Sequence, residues 1–182
     1  MKIISGIYKG RNLSGFDIDG TRPTMDRVKE SLFAVLQDKV KNSVVLDLFS
    51  GSGNLGIEAL SEGAREAYLV DKNSKACKIM KDNINRIGVK NVNTYNMDYK
   101  KALEYFKNNN IKFDLVFLDP PYNTDLIEKS IALITKYDLL KESAFIVCEN
   151  NILDRIIYND NYEKLKEKRY GDKWVVILRK VC

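Results

Sequence analysis

The residues best suited to chemistry in this sequence are Asp119-Pro120-Pro121-Tyr122, which follow the largely apolar run 113–118. That run predicts a buried strand, because strands covered on both faces read as near-continuous apolar segments. Prolines fix the backbone φ angle and lack an N–H donor, so the carbonyl oxygens beside them can face a ligand. A carboxylate, a proline carbonyl and an aromatic ring at a strand end would suit a planar group that carries an amine. Alone, the motif is also typical of a simple turn that ends a strand.

The composition excludes several kinds of site. The sequence has no histidine, which excludes a Ser-His-Asp triad, a histidine base and a histidine metal site. Three cysteines are present and form no C-x-x-C pair, so we expect neither a disulfide framework nor a metal. No apolar stretch approaches the roughly 18 residues that a membrane-spanning helix needs, and the first residues lack the apolar segment of a signal peptide. We therefore expect a cytoplasmic protein with no membrane partner.

The net charge of +5 is concentrated at the two ends of the chain. Residues 1–42 carry eight Lys and Arg against five Asp and Glu, and residues 151–182 carry the same numbers. The middle, residues 43–150, is nearly neutral, with 14 against 15. Basic ends suggest a polyanionic partner, although a charge this modest is also compatible with ordinary solvated lysines.

The elements that must position these residues follow an alternating pattern. Residues 2–16, punctuated by glycines, predict a β hairpin or irregular β arm, and apolar spacing predicts a helix over 25–38 with Thr24 as its N-cap and Asp26 in its first turn. Strands are then predicted at 44–48, 67–70, 92–95, 115–118 and 144–148, helices at 54–61, 74–87, 99–108 and 126–137, and two antiparallel strands at 162–169 and 173–180. This order predicts an α/β fold with a doubly wound, mostly parallel, seven-stranded sheet and an antiparallel C-terminal hairpin. We expect one domain, with residues 1–42 as its arm and helix and residues 43–182 as its core.

A glycine-rich loop joins the first predicted strand to the helix after it. Gly51, Gly53 and Gly56 form a G-x-G-x-x-G pattern, which lets a ligand approach the backbone and aims a helix N-terminus at it. A dinucleotide site would fit this loop too, with Asp71 on the ribose hydroxyls. However, Asp47 lies four residues before the first glycine. A carboxylate there disfavours a pyrophosphate and suits a cationic ligand.

Taken together, these elements resemble the class I S-adenosylmethionine-dependent methyltransferases, whose first motif has the same Asp-x-x-x-Gly-x-Gly form. The resemblance implies a Rossmann-like methyltransferase fold and S-adenosylmethionine as the cofactor. It also implies that Asp71 binds the ribose diol and that Asp98 contacts the adenine amine, with Asp47, Gly51 and Gly53 completing the cofactor site. From the residues alone, Asp98 could instead be a turn residue and Asp71 a helix cap. In these enzymes, [Asp/Asn]-Pro-Pro-[Tyr/Phe] after the fourth strand marks the members that methylate planar nitrogens.

The implied chemistry gives each residue of the tetrapeptide a role. The lone pair of an exocyclic base amine is delocalised into the ring, so hydrogen-bond acceptors are needed to favour pyramidalisation and the developing positive charge. Asp119 and the Pro120 carbonyl would accept from the amine, and Tyr122 would stack on the base. Because the methyl donor is already activated, positioning supplies most of the rate. A base within a duplex must be flipped out or already unpaired to reach such residues.

The N-terminal segments narrow the resemblance to one family. Residues 3–11 read I-I-S-G-I-Y-K-G-R and residues 21–33 read T-R-P-T-M-D-R-V-K-E-S-L-F, and both are similar to the RsmD family. Members of that family methylate guanine N2 in small-subunit (16S) ribosomal RNA, and the likeness covers essentially the whole chain. Ser50 and Asn54 stand where alanines are expected, and Met25 replaces a threonine.

This resemblance implies 16S rRNA, or a small-subunit assembly intermediate, as the partner of a monomeric enzyme. It implies that Arg22 and Thr24 lie near the cofactor and target base, and that Lys9 and Arg11 contact RNA phosphates. On the residues alone, Lys9 and Arg11 could belong to a solvated arm, and Arg22 could pair with Asp26.

Three alternatives remain open. An N6-adenine DNA methyltransferase would share the Asp-Pro-Pro-Tyr chemistry, but 182 residues leave no room for a separate target-recognition domain. A protein-glutamine methyltransferase faces the same chemical problem at an amide nitrogen. A non-catalytic RNA-binding relative is disfavoured by the intact glycines and the intact tetrapeptide.

Overall fold

The chain folds into alternating strands and helices around one seven-stranded sheet. This computed structural model describes residues 1–15, 22–151 and 156–181, with the backbone alone for residues 22–25. The helices are α1 (Arg22–Val40), α2 (Asn54–Ser61), α3 (Ser74–Ile87), α4 (Tyr99–Asn108) and α5 (Leu126–Lys136). The strands are β1 (Val44–Asp47), β2 (Glu66–Asp71), β3 (Val92–Asn96), β4 (Phe113–Leu118), β5 (Leu140–Asn150), β6 (Tyr162–Tyr170) and β7 (Lys173–Lys180).

The strand order is β3-β2-β1-β4-β5-β7-β6. Strands β1 to β5 are parallel to one another, whereas β7 is antiparallel to both β5 and β6. The predicted doubly wound, mostly parallel sheet with an antiparallel C-terminal hairpin is therefore confirmed. Because β1 lies between β2 and β4, the chain changes direction across the sheet at β1 and β4. Open sheets of this kind bind ligands at that switch point, beyond the carboxyl ends of the strands.

Helices cover both faces of the sheet. One apolar cluster joins α1, α2, α3 and the N-terminal arm to one face, and the other joins α4 and α5 to the opposite face. Side chains of β4 alternate between them, with Phe117 in the first cluster and Leu118 in the second. The rings of Phe33 in α1 and Phe117 lie 5.8 Å apart. Burial on both faces explains the near-continuous apolar runs in the sequence.

The N-terminal residues form the predicted β arm. Lys2 and Asn12 make an antiparallel bridge, and the Gly10 N–H donates to the Ile3 carbonyl at 2.8 Å. The arm docks on the end of α2, where the Ile7 N–H donates to the Ser61 carbonyl at 2.9 Å. A Cβ atom on Gly6 would lie 1.8 Å from that carbonyl oxygen, so the close approach requires glycine.

The element boundaries agree with prediction to within two residues, except for the starts of α1 and β5. Helix α1 begins at Arg22, so Thr24 lies inside it and the predicted cap at Thr24 was wrong. The physical reason is Pro23, whose fixed φ angle suits the first turn of a helix. Strand β5 begins at Leu140, four residues before the prediction, because Leu140 pairs with Phe113 ahead of a register shift.

None of the described helices is long and apolar enough to cross a bilayer.

Candidate functional site

Four acidic residues lie at the carboxyl ends of neighbouring strands. Asp47 and Asp71 are the last residues of β1 and β2, Asp119 directly follows β4, and Glu149 is the penultimate residue of β5. The first two flank the glycine loop, Asp119 begins the Asp-Pro-Pro-Tyr turn, and Glu149 lies on the neighbouring strand. Within the described ranges, no group of three or more Cys, Asp or Glu residues is arranged to hold a metal ion.

Asp47 is a buried carboxylate that is only half satisfied. Its side chain is 1% exposed, and its Oδ2 accepts the Gly56 N–H at 3.1 Å. Its Oδ1 is buried and has no hydrogen-bond partner in the described part of the chain. Burial raises the pKa of Asp47 to about 7, the bond from Gly56 opposes this shift, and the charge of Asp71 adds to it. Buried polar atoms are normally paired, so a donor or a cation is the natural partner for this oxygen.

The glycine loop is held by hydrogen bonds to the end of β2. The Ser50 N–H and hydroxyl both donate to the Val70 carbonyl, at 2.9 and 3.0 Å. Gly51, with φ 54°, donates its N–H to Asp71 Oδ2 at 2.9 Å, and Gly53, with φ 84°, is the N-cap of α2. These left-handed conformations favour glycine. The loop therefore presents backbone and a helix N-terminus to the crevice, as the sequence predicted.

Gly56 lets α2 pack directly on the sheet. A Cβ atom there would lie 2.0 Å from Leu69 Cδ2 and 3.5 Å from Asp47 Cβ. A side chain would therefore push α2 away from β2 and lengthen the bond between Gly56 and Asp47. The third glycine of the pattern thus serves packing and the positioning of Asp47.

Asp71 and Asp98 both make local backbone contacts. Asp71 Oδ1 accepts the Asn73 N–H at 2.8 Å, but the N-cap of α3 is Asn73 and not Asp71. Asp98 is the N-cap of α4, and its Oδ1 accepts the Lys100 N–H at 2.9 Å. The cap is therefore an observed role of Asp98, and its contact with a ligand stays a prediction.

The Asp-Pro-Pro-Tyr turn lies across the switch point from the glycine loop. Asp119 is half-buried, Pro120 is buried, and Tyr122 is 39% exposed. The Pro121 carbonyl accepts the Thr124 hydroxyl at 2.8 Å, which fixes the turn. The arrangement leaves the Tyr122 ring open to an incoming partner, three residues after Asp119 at the strand end.

Two residues at this end were missed by the sequence prediction. Glu149 and Lys173 form an ion pair, and their side chains are 11% and 15% exposed. Parallel pairing of Leu118 with Cys148 brings Glu149 beside Asp119, and Lys173 Nζ lies 5.7 Å from the centroid of the Tyr122 ring. A usable signal existed, because Glu149 follows an apolar strand just as Asp119 does.

This cluster perturbs the titration of its members. Burial, followed by the charge of Glu149, raises the pKa of Asp119 well above its usual range, while Lys173 opposes the shift and Asp47 adds to it. Burial alone would lower the pKa of Lys173, but the charge and hydrogen bond of Glu149 outweigh it and raise that pKa. Lys173 therefore stays protonated at neutral pH.

The predicted RNA-binding residues fall in two groups. Lys9 is exposed on the arm. Arg11 donates to the Ile87 carbonyl at 2.6 Å and lies 5.8 Å from the Tyr8 ring, so its guanidinium also docks the arm on the end of α3. Arg22 and Thr24 lie in α1, but their side chains are outside the described atoms, and their roles stay predictions.

A buried ion pair behind the glycine loop ties the arm to the site. Lys29 Nζ, on α1, lies 2.7 Å from Glu58 Oε2 and donates to Asn54 Oδ1 at 2.8 Å and to the Lys2 carbonyl at 2.6 Å. Glu58 Oε1 also accepts the Ile4 N–H at 3.1 Å. The amide that stands in place of an expected alanine at position 54 is therefore a partner of Lys29. The sequence prediction missed this connection.

Known proteins resemble this chain in sequence and in fold. The sequence model of the family Conserved hypothetical protein 95 matches residues 1–179. Ribosomal RNA small subunit methyltransferase D of Haemophilus influenzae is 35% identical over 176 residues, which cover 94% of this chain and 89% of that protein. The protein of the same name from Buchnera aphidicola subsp. Acyrthosiphon pisum is 37% identical over 166 residues, covering 91% and 86%. The solved structure "Putative methyltransferase yhhF from Escherichia coli" is 29% identical, with a TM-score of 0.87 and coverage of 99% and 97%.

Proposed function

Because this chain belongs to the Conserved hypothetical protein 95 family, the RsmD family of ribosomal RNA methyltransferases, we propose that it methylates the exocyclic N2 amine of a guanine in small-subunit (16S) ribosomal RNA. The methyl donor is S-adenosylmethionine. The observation that most supports the proposal is the position of the Asp-Pro-Pro-Tyr turn, at the strand end beside β1 and its glycine loop. One half of the crevice suits a cationic cofactor, and the other suits a planar amine.

The residues of the first half fit S-adenosylmethionine. The Oδ1 of Asp47, which has no partner among the described residues, suits a positively charged ligand, and that charge would lower the raised pKa of the carboxyl. Gly51 and Gly53 keep side chains out of the loop, and Asp71 lies beside it for the ribose diol. Asp98 is our candidate for the adenine amine. When bound, the cofactor supplies a methyl group already activated on a sulfonium.

On the acceptor side, Asp119 and the Pro120 carbonyl accept the N–H bonds of the target amine, and Tyr122 stacks on the base. These acceptors favour a pyramidal nitrogen with a usable lone pair and stabilise its developing positive charge. As the new N–C bond forms and the C–S bond breaks, one proton must leave the nitrogen. Asp119 is suited to take it, because its pKa is raised by burial and by Glu149. This chemistry needs no histidine.

The substrate must offer an unpaired base. Exposed Tyr122 can stack only on a base that has left its duplex or was never paired. Lys9 and the rest of the basic arm would contact backbone phosphates near that base. A ribosomal substrate implies a cytoplasmic enzyme, and we propose that it acts as a monomer.

The proposal is tested with labelled cofactor and three classes of substrate. The protein is incubated with S-adenosylmethionine carrying a radioactive methyl group and with small subunits that lack the modification, bulk DNA or release-factor-like proteins. We expect label in 16S rRNA, and primer extension with mass spectrometry should identify N2-methylguanine at one nucleotide. Label in DNA or protein but not in small-subunit RNA would contradict the proposal, as would methylation at another atom of the base.

A further inference from the structure

Glu149 and Lys173 lie beside the target-amine residues, yet the transfer step described above does not need their hydrogen-bonding groups. The two side chains form a nearly buried ion pair at the open end of the sheet. Taking two charges out of water is costly, and an apolar pair of similar volume is often as stable or more so. A nearly buried ion pair at this open end of the sheet therefore points to a binding role.

The strand order places three polar groups in a row. Strands β4, β5 and β7 are consecutive in the sheet, and they carry Asp119, Glu149 and Lys173 at the same edge. Glu149 pairs with Val175 across the antiparallel ladder, and Lys173 precedes Val175 by two residues, so both side chains lie on the same face. An ionised carboxylate only accepts hydrogen bonds, and an ammonium only donates them. When Asp119 is ionised, as accepting a hydrogen bond from the target amine requires, the row reads acceptor, acceptor, donor.

That order matches one nucleobase. The Watson–Crick edge of guanine reads donor at the N2 amine, donor at N1–H and acceptor at O6. Adenine offers its amine donor and then an acceptor at N1, which would face the Glu149 carboxylate unfavourably. The ring of Tyr122 supports the alignment, because Lys173 Nζ lies over it at 5.7 Å from its centroid, so the ion pair lies beside the ring on which the base would stack.

We propose that Glu149 accepts the N1–H bond of the target guanine and that Lys173 donates to its O6, so that the pair selects guanine over adenine. The inference rests on the proposed function, since the target amine must be bound at Asp119. We expect the selection of guanine over adenine to be strong for a physical reason. A base that lacks either group leaves one hydrogen-bonding atom of this nearly buried pair without a partner on the base, and sites built around hydrogen bonds reject such analogues by large factors.

The test replaces the mapped target guanine with 2-aminopurine in the same RNA. This base keeps the methyl-accepting 2-amine but lacks both N1–H and O6. For the wild-type chain we expect kcat/KM on 2-aminopurine to be lower by about 100-fold or more. The Glu149→Gln variant should lose activity mainly on guanine. Its preference in kcat/KM for guanine over 2-aminopurine should fall to about 10-fold or less. Glu163→Gln is the matched control, because Glu163 pairs with Arg179 in the same hairpin, and it should keep both rates.

The outcomes separate this inference from the proposed function. Equal wild-type rates on guanine and 2-aminopurine would overturn the inference while leaving guanine methylation intact. A proportional loss on both bases in Glu149→Gln would assign Glu149 a structural role and also overturn it. Absence of label in any RNA would overturn both proposals. If Glu149→Gln does not fold, the wild-type comparison of the two bases decides alone.

Discussion

The Gly56 N–H donates to one oxygen of Asp47 at 3.1 Å, while the other oxygen of that carboxylate is buried with no partner in the described part of the chain. Gly56 begins no turn here, since it lies within α2, and a side chain at this position would collide with Leu69. Gly56 therefore has two effects: its N–H orients Asp47, and its lack of a side chain lets α2 lie close to the sheet. We expect a ligand cation to bind the oxygen of Asp47 that Gly56 leaves without a partner.

The first prediction concerns the pH dependence of stability. The folded pKa of Asp47 is about 7, against 3.8 for the free side chain, so the folded chain keeps a proton that the unfolded chain releases between these values. Stability from this group is full below pH 4 and is lost as the pH rises to about 7, on the order of 4 kcal/mol. Asp47→Asn should flatten that part of the profile and weaken cofactor binding, measured by urea unfolding at several pH values and by calorimetry.

Two results would contradict this account of Asp47. One is a pH profile in Asp47→Asn that runs parallel to the wild-type profile between pH 4 and 8. The other is unchanged affinity for S-adenosylmethionine. Asp119 also has a raised pKa, so some pH dependence of the same sign should remain in the variant.

The second prediction separates transfer from cofactor binding. Asp119→Ala should lower kcat by about 100- to 1,000-fold, because it removes an acceptor that acts on the developing charge. The dissociation constant of S-adenosylmethionine should stay close to the wild-type value. Asp125→Ala, in the same loop but exposed and paired with Lys129, is the control and should stay active. Full activity of Asp119→Ala would mean that another group contacts the amine.

The third prediction concerns the buried anchor of the arm. Lys29→Met leaves Glu58 as a buried charge without its cation, and we expect a loss of about 3–5 kcal/mol in the free energy of unfolding. Lys112→Met is the comparison, since its pair with Asp138 is exposed, with side chains 46% and 64% accessible, and should change stability by less than about 1 kcal/mol. Urea denaturation of both variants measures the difference. Equal effects would mean that the buried pair contributes no more than a surface pair.

The fourth prediction tests the close packing of α2 on β2. Gly56→Ala should destabilise the chain by about 1–3 kcal/mol, because its Cβ would lie 2.0 Å from Leu69 Cδ2. Leu69→Ala is itself costly, but it removes the colliding atoms. The double variant should therefore be more stable than the sum of the single effects predicts. Strict additivity in a double-mutant cycle would show that the collision is not what destabilises Gly56→Ala.

The fifth prediction distinguishes two basic residues of the arm. Lys9→Glu should weaken RNA binding without changing stability. The slope of log K for RNA binding against log salt concentration, called the salt slope below, should become shallower by about one. Arg11→Glu should do the same and also lower stability by about 1 kcal/mol, because its bond to the Ile87 carbonyl is lost. Lys136→Glu, exposed on α5 over the opposite face of the sheet, is the charge-matched control. An unchanged salt slope in Lys9→Glu would place the arm outside the RNA interface.

Local patterns in the sequence were enough to predict most helices and strands of the fold. Helices α2, α3 and α4 and strand β7 begin and end where their apolar spacing and stop signals predict. Gly88, predicted to end α3, is its C-cap in the left-handed conformation, with φ 76°. Such signals act within a few residues, so they can be read without knowing what packs against them. The start of β5 was missed because its first residues are mostly polar, and their pairing with distant strands defines it.

The sequence by itself determined the order of strands and helices, the glycine loop and the Asp-Pro-Pro-Tyr turn, because each is a contiguous motif with its own physical signature. Only the tertiary structure decided which distant groups meet. Lys173 reaches Glu149 because β7 inserts antiparallel beside β5, and Lys29 reaches Glu58 because α1 and α2 share one face of the sheet. These contacts depend on strand order and burial. No local spacing encodes them, and they set the charges around the site.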